Sequence, residues 1–255
     1  MEPRGASAFR LPPSAFTVTL LYIFPHPDDE SFGPAPAIAR QVREGHDVAL
    51  LTLTKGGATK VRHDLDLSVE EMGARREQEM ACIAEALGVE LTVLDYPDGG
   101  LQDLDPRDLE NVIERKIQAV VPDVVVTYDY HGNSIHPDHV VTHAVVKRAY
   151  RAACDEMAGR SPRRLAFFTL VEGEIEDAPA DLHGSPRQRL GAVVTFTDAD
   201  RQKADDALAC YETYAEVIND HRPLRQVEGG VPFVLFQESH DEPLDSLTDD
   251  LHDEG

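Results

Sequence analysis

The chain has 255 residues, 42% of them hydrophobic, which is enough for one large domain with a sizeable core. Its net charge is −23, from 47 acidic and 24 basic residues, and this argues against nucleic acids or anionic membranes as partners, since both bind basic patches. A dispersed acidic surface indicates either a high-salt source, where salt screens the repulsion between like charges, or an adaptation that increases solubility.

The termini and cysteines predict a cytoplasmic protein. The first apolar run, residues 16–24, is far shorter than the roughly 20 residues that span a bilayer, so we expect no membrane insertion. We expect a flexible arm at residues 1–15, a single domain at 16–240 and a disordered acidic tail at 241–255. Cys82, Cys154 and Cys210 are predicted to be buried reduced thiols, with a disulfide or a metal-binding role as the alternative.

Strands and helices are predicted to alternate through the first half of the chain. Continuous apolar runs favour buried strands, and helices lie between them. One helix is predicted to open at Ser68, with Glu71 completing a capping box, and to end at Gly88. Asp105 and Pro106 are residues typical of a helix start, and they predict the start of the next helix. The predicted elements, in chain order, are a strand at 17–24, a helix at 34–44, a strand at 47–54, a helix at 68–87, a strand at 90–96, a helix at 105–120 and a strand at 123–129.

The second half of the chain gives weaker patterns. A helix is predicted to begin near His136. The remaining predictions, in chain order, are a strand at 163–170, a surface loop at 172–189, a strand at 192–196, a helix at 198–218 and a strand at 231–236. The first four strands are too apolar for a one-sided sheet, so the fold class is α/β, a doubly wound, mainly parallel sheet with helices on both faces. In the common strand order, the first and fourth strands are neighbours.

Two short motifs carry candidate chemistry at the ends of those two strands. HPDDE begins at His26, directly after the first strand, and HPDH begins at His136, after the fourth. His26, Asp29 and His139 are side chains that zinc accepts, and three protein ligands leave one position open for water. Asp28 diverges from its neighbour Asp29 and is free to act as a general base.

The second motif adds further candidates. His136 lies three residues before His139 on the same helix face, where it could stabilise an oxyanion or protonate a leaving amine. Asp138 could orient an imidazole. Chelation of a metal by His139 and His143 is an alternative, but no glutamate follows His139 as the HExxH pattern requires, and we interpret His143 as a helix-face residue. His63 is interpreted as part of a solvated loop.

Five segments resemble the LmbE-like superfamily, also called the PIG-L or GlcNAc-phosphatidylinositol de-N-acetylase family. They are PHPDDESFG at 25–33, LTLTKG at 51–56, RREQEMACIAEALGV at 75–89, YPDGGL at 96–101 and VVTYDYHGNSIHPDHV at 125–140. The resemblance implies a Rossmann-like fold and one zinc ion per chain, held by His26, Asp29 and His139. It also implies that Asp28 is the base, that His136 is the oxyanion-stabilising group or acid, and that Arg76 and Asp98 contact a sugar. For Arg76 the alternative is a surface ion pair on its helix, and for Asp98 it is an Asx turn.

The resemblance predicts hydrolysis of an N-acyl bond in a small-molecule amino sugar or glycoconjugate. Two alternatives stay open: a metal-dependent amidase of a thiol conjugate or other amide, and a non-catalytic metal- or ligand-binding protein. Iron or cobalt could occupy the same ligands, and a homo-oligomer stays open. The chain departs from the family at Pro34, Ala35 and Pro36, where a Gly-Gly pair is frequent.

Overall fold

The computed structural model describes residues 17–157, 162–175 and 182–251. The predicted N-terminal arm lies outside these residues. Within them, strands form a seven-stranded sheet in the order β3-β2-β1-β4-β5-β7-β6. The strands are β1 (Thr19–Phe24), β2 (Asp47–Thr54), β3 (Glu90–Tyr96), β4 (Val124–Tyr128), β5 (Arg164–Phe168), β6 (Ala192–Val194) and β7 (Val231–Leu235).

The predicted parallel sheet is confirmed, and so is the assumption that its first and fourth strands are neighbours. Strands β1 to β5 pair in parallel, and β1 lies between β2 and β4. Strand β7 runs antiparallel to both β5 and β6. The carboxyl ends of β1 and β4 therefore meet at one edge, where ligands bind in open α/β sheets.

Helices cover both faces of the sheet. One hydrophobic cluster packs the helices Ala35–Arg43, Val69–Leu87 and Asp198–Ala209 on the first face, and a second packs Pro106–Val120 and Pro137–Glu156 on the other. None of the helices in the described part of the chain is both long and apolar enough to cross a bilayer. The helices are α1 (Ala35–Arg43), α2 (Val69–Leu87), α3 (Pro106–Val120), α4 (Pro137–Glu156), α5 (Asp198–Ala209) and α6 (Ala215–His221).

The predicted helix at 198–218 is wrong in its length. Helix α5 ends at Ala209, and α6 begins at Ala215 after a short 3₁₀ turn. Between them Tyr211 turns inward, and its hydroxyl donates to Glu30 Oε1 at 2.9 Å. This tertiary contact replaces the helical continuation, and it brings the corner at residues 210–214 next to the first motif.

Two segments predicted to be exposed are partly packed against the domain. In the predicted tail, Leu247 and Leu251 are buried, and Arg164 donates to the Leu247 carbonyl at 2.6 Å. Residues 241–251 therefore form part of the fold, whereas 252–255 lie outside the described residues. In the predicted loop at 172–189, Ser185 is buried and donates to Asp129 Oδ2 at 2.6 Å, and residues 176–181 are not described.

The expectation of three reduced thiols is wrong for one pair. Cys82 on α2 and Cys210 after α5 form a disulfide, with Cα atoms 5.8 Å apart, and Cys154 is free. The two helices pack directly against each other, so tertiary structure joins cysteines that lie 128 residues apart in sequence. The cytoplasmic prediction loses the support that it drew from these two thiols.

Candidate metal centre and its cavity

The first motif forms a tight turn immediately after β1. The His26 N–H donates to Asp29 Oδ2 at 2.8 Å, and the N–H groups of Ser31 and Phe32 donate to the Asp28 carbonyl. Asp28 has a φ of 87°, in the left-handed region that non-glycine residues rarely adopt. This turn gives the two adjacent carboxylates different partners, since Asp28 contacts Arg76 while Asp29 faces the histidines.

The second motif caps α4 and presents an imidazole from its first turn. His136 is the N-cap, and its Nδ1 accepts the Asp138 N–H at 3.2 Å. His139 donates from Nδ1 to the Gly132 carbonyl at 2.7 Å, which leaves Nε2 available. Gly132 has a φ of 60°, and a Cβ there would lie 2.3 Å from that of His139, so this close approach requires glycine.

The structure brings three predicted ligands together from stretches 113 residues apart. The His26 Nδ1 atom lies 3.2 Å from His139 Nε2. Asp29 offers Oδ2 at 3.6 Å from that His26 atom and Oδ1 at 3.4 Å from that His139 atom. Ligands that surround zinc tetrahedrally at about 2.0–2.1 Å lie roughly 3.4 Å apart. We call these three candidate zinc ligands, His26, Asp29 and His139, the ligand triad.

The contacts of His26 Nε2, on the ring edge away from the triad, determine which nitrogen points into the triad. Its Nε2 lies 3.1 Å from Asp138 Oδ2 and 3.3 Å from Asp98 Oδ1. Asp138 also accepts the N–H groups of Gly99 and Leu101. Burial lowers the pKa of His26, but these carboxylates and Asp29 outweigh it and raise the pKa. The carboxylates hold a proton on Nε2, so the Nδ1 lone pair is directed at the triad.

Two other ligand sets are also close enough to hold a metal. Ring nitrogens of His26, His136 and His139 lie within 4.8 Å of one another, and so do ligand atoms of His26, Asp98 and Asp138. The second set is less suited to a metal, because Asp138 already accepts two backbone N–H groups and the His26 proton. His143 donates from Nδ1 to the Tyr128 carbonyl at 2.9 Å, and it belongs to neither of these sets.

Tyr128 supports the triad and was not predicted from the sequence. Its hydroxyl donates to Asp29 Oδ1 at 2.7 Å, and its ring stacks on His139 with centroids 4.4 Å apart. Burial raises the pKa of Tyr128 well above its usual value. It therefore stays a neutral donor that fixes one ligand by a hydrogen bond and another by stacking. Its position at the end of β4, beside β1, was the available signal.

Arg76 forms an ion pair with Asp28, the predicted general base. It is 2% exposed, and it donates to Asp28 Oδ2 at 2.6 Å and to the Pro27 carbonyl at 2.7 Å. The alternative of a surface ion pair is excluded. Tyr214 covers the guanidinium at 4.1 Å from its ring centroid. Burial raises the pKa of Asp28 to about 6, although Arg76 opposes the shift.

A cavity of about 490 Å³ opens beside the triad. Asp28, Asp98 and His136 line it, so the structure brings the predicted base and oxyanion group to the same space as the ligands. Asp98 is also held in place, because its Oδ2 accepts the Ala58 N–H at 2.7 Å. The buried Asn133 lines the cavity too, and within the described part of the chain its Oδ1 has no hydrogen-bond partner.

Fold and site together define a class, a Rossmann-like α/β protein with a candidate metal centre at the carboxyl edge of its parallel strands. The family model described as "PIG-L: GlcNAc-PI de-N-acetylase" matches residues 21–150. The chain belongs to this family, as the sequence motifs predicted.

Two relatives illustrate the range of the family. The chain is 30% identical to 1D-myo-inositol 2-acetamido-2-deoxy-alpha-D-glucopyranoside deacetylase of Kineococcus radiotolerans, over 87% of this chain and 76% of that protein. It is 35% identical to mycothiol S-conjugate amidase of Streptomyces coelicolor, over 53% of each protein. The chain thus spans only about half the length of the second relative.

A solved structure supports the fold. N,N'-diacetylchitobiose deacetylase from Pyrococcus horikoshii superposes with a TM-score of 0.64, covering 88% of this chain and 85% of that one. The two sequences are 21% identical, so the likeness concerns the fold alone.

Proposed function

We propose that the protein is a zinc-dependent hydrolase that removes an N-acyl group from an amino-sugar substrate. One observation carries the proposal: two distant stretches place the ligand triad within 3.2–3.6 Å of one another. Family membership and the deacetylases among the relatives support it. The named substrates of those relatives are small molecules that contain an acetylated amino sugar.

The donor set fits a zinc ion. Two imidazole nitrogens and a carboxylate are ligands that zinc accepts, and three protein ligands are typical of catalytic sites. Zinc bound there would polarise the acyl oxygen and lower the pKa of water to about 7. We propose one ion per chain, and iron or cobalt could use the same ligands.

Asp28 and His136 are proposed to act on the reacting atoms. Asp28 takes a proton from water as the water oxygen bonds to the acyl carbon, and it later returns the proton to the leaving amine. His136 accepts a backbone N–H at Nδ1, so in its neutral form the ring carries its proton on Nε2. From there it can donate a hydrogen bond to the developing oxyanion. Arg76 holds Asp28 in place, and Asp98 is proposed to contact the sugar.

The test separates the base from the ligands. We expect zinc-loaded protein to release a primary amine from an N-acetylglucosamine conjugate. Asp28→Asn should retain one zinc per chain and lose at least about 100-fold in kcat, the usual contribution of a general base. Asp29→Asn should lose the metal, measured by atomic emission. The matched control is Asp64→Asn, since Asp64 is exposed outside the cavity.

Two outcomes contradict the proposal. Loss of zinc from Asp28→Asn would overturn the division of roles between the adjacent aspartates. Bound zinc without amine release from any N-acyl amino sugar would favour a binding protein.

A second candidate function is that of an amidase acting on a larger acyl group. The relative named mycothiol S-conjugate amidase and the apolar side of the cavity favour it. Product analysis separates the two candidates, because a deacetylase releases acetate and such an amidase releases a larger acid.

A further inference from the structure

The cavity beside the triad has two chemically different sides. Thr59, Lys60 and Asp98 line it on one side, and they follow β2 and β3. Phe168, Leu170 and Leu182 line the other side, where β5 ends and the chain continues beyond it. The first side offers hydroxyl, ammonium and carboxylate groups, whereas the second offers hydrocarbon.

The strand order fixes these two sides relative to the triad. His26 and Asp29 follow β1 and His139 follows β4, and these neighbouring strands lie between β2 and β5. Adjacent strands are about 4.8 Å apart, so the ends of β2 and β5 lie on opposite flanks of the triad. A substrate whose scissile amide sits at the triad therefore places its two substituents on opposite sides.

The polar side suits the sugar. Sugar hydroxyl groups need hydrogen-bond partners when they leave water, and an apolar wall does not supply them. Lys60 and Asp98 supply a donor and an acceptor. The acyl group then falls on the β5 side.

The β5 side presents more apolar surface than an acetyl group requires. Phe168 and Leu170 are buried, and the Phe168 ring packs so closely on Gly33 that a Cβ there would lie 2.2 Å away. Phe32 and Pro223 extend the apolar lining. The cavity of about 490 Å³ is within the range of roughly 300–1,000 Å³ that holds ligands of drug size. An acetyl group has a single methyl to place against this wall.

Asn133 provides a polar atom next to the triad. It follows Gly132, whose carbonyl holds His139, and its own carbonyl accepts the His183 N–H at 2.7 Å. Its side chain is buried and lines the cavity, and Oδ1 has no hydrogen-bond partner among the described residues. The N–H of a substrate amide is a donor that this oxygen can accept.

We propose that the β5 side is a subsite for an apolar acyl group longer than acetyl; the inference rests on the proposed function. The reaction is then hydrolysis of an N-acyl amino sugar to the free amine and a medium-chain carboxylic acid. The C–N bond breaks, the water oxygen bonds to the acyl carbon, and a proton passes to the amine.

The test is a substrate series with the zinc-loaded wild-type protein. N-acetyl-, N-butanoyl- and N-hexanoylglucosamine are compared by amine release. We expect kcat/KM to rise roughly two- to fourfold with each added methylene, as burial of hydrocarbon predicts. A maximum at acetyl overturns the inference and leaves the proposed function standing. No hydrolysis of any member overturns the proposed function itself.

A variant at Leu182 tests whether the acyl subsite lies on the β5 side. Leu182 is only partly buried, so Leu182→Asn changes the lining without opening the core. We expect it to lower the ratio of hexanoyl to acetyl kcat/KM at least fivefold. The matched control is Leu65→Asn, at an exposed leucine outside the cavity, which should keep the wild-type ratio. An unchanged ratio in Leu182→Asn removes the β5 side as the acyl subsite. The wild-type series decides the chain-length preference whether or not this variant folds.

Discussion

Glu30, the last residue of HPDDE, is a fully buried carboxyl group that the proposed chemistry does not use. Its Oε1 accepts from Ser31 Oγ and from Tyr211 Oη, while Oε2 has no hydrogen-bond partner among residues 17–157, 162–175 and 182–251. Burial raises its pKa from 4.5 to about 7, against the effect of these hydrogen bonds. In the folded protein Glu30 therefore keeps its proton up to about pH 7, whereas in the unfolded chain it loses the proton near pH 4.5.

Glu30 should make stability depend on pH. Because its folded pKa is raised, its contribution is fully present below pH 4.5 and is lost as pH rises through about 7. A shift of this size corresponds to about 3 kcal/mol. We expect Glu30→Gln, which cannot ionise, to unfold at higher urea than wild type at pH 8 and to lose this advantage near pH 4.5. The measurement is urea unfolding of metal-free protein across this range.

The control is Glu85→Gln, at an exposed glutamate on α2. It should reproduce the wild-type pH profile. A Glu30→Gln profile parallel to that of wild type would show that the buried carboxyl does not titrate in this window.

Residue types and strand ends were sufficient to predict the candidate ligands. The sequence predicted His26, Asp29 and His139 because histidine and carboxylate occur at two strand ends that the α/β fold brings together. It also predicted that Asp138 orients an imidazole. Tyr128 was missed because a tyrosine at the end of a buried strand usually belongs to the core, and its bond to Asp29 depends on the pairing of β1 and β4.

Secondary-structure elements were predictable where local chemistry sets their ends. The Ser68–Glu71 capping box and the left-handed Gly88 bound α2 as predicted, and Asp105 caps α3. Local signals fail at residues 210–214, where Tyr211 donates to Glu30 and the disulfide joins Cys210 to α2. Helical periodicity does not contain these long-range contacts.

The disulfide should stabilise the junction of α2 and α5. It closes a loop of 128 residues, and a cross-link of this span contributes about 3–5 kcal/mol in the chain-entropy model. We expect Cys82→Ser and Cys210→Ser each to lower the free energy of unfolding by about this amount. Reduction of the wild type should reproduce the effect in guanidinium unfolding.

Cys154→Ser is the matched control. Cys154 donates to the Pro162 carbonyl, a bond that serine can also make, so its replacement should change stability little. If reductant leaves the wild-type midpoint unchanged, the original expectation of free thiols holds instead.

At the scale of the molecule, apolar strands predicted the parallel part of the sheet but not its antiparallel part. β1 to β5 are joined through helices, which the alternation of patterns revealed. The antiparallel pairing of β7 with β5 and β6 was not predicted, because a short apolar run does not encode its direction.

Net charge is the property of the whole chain that the fold does not explain. With 47 acidic and 24 basic residues, repulsion opposes the compact state. Raising KCl from about 0.1 to 1 M shortens the screening length from about 10 to 3 Å. We expect Tm at pH 7.5 to rise by about 4–8 °C, equivalent to about 2 kcal/mol for a chain of this size.

The same salt series at the isoelectric point is the control for this effect. Near pH 4.7 the net charge vanishes, so screening has little repulsion to remove and Tm should rise far less. Calorimetry at both pH values distinguishes screening from a general effect of salt on hydration. An equal rise at the two pH values would mean that salt acts on burial of apolar surface, which does not depend on net charge.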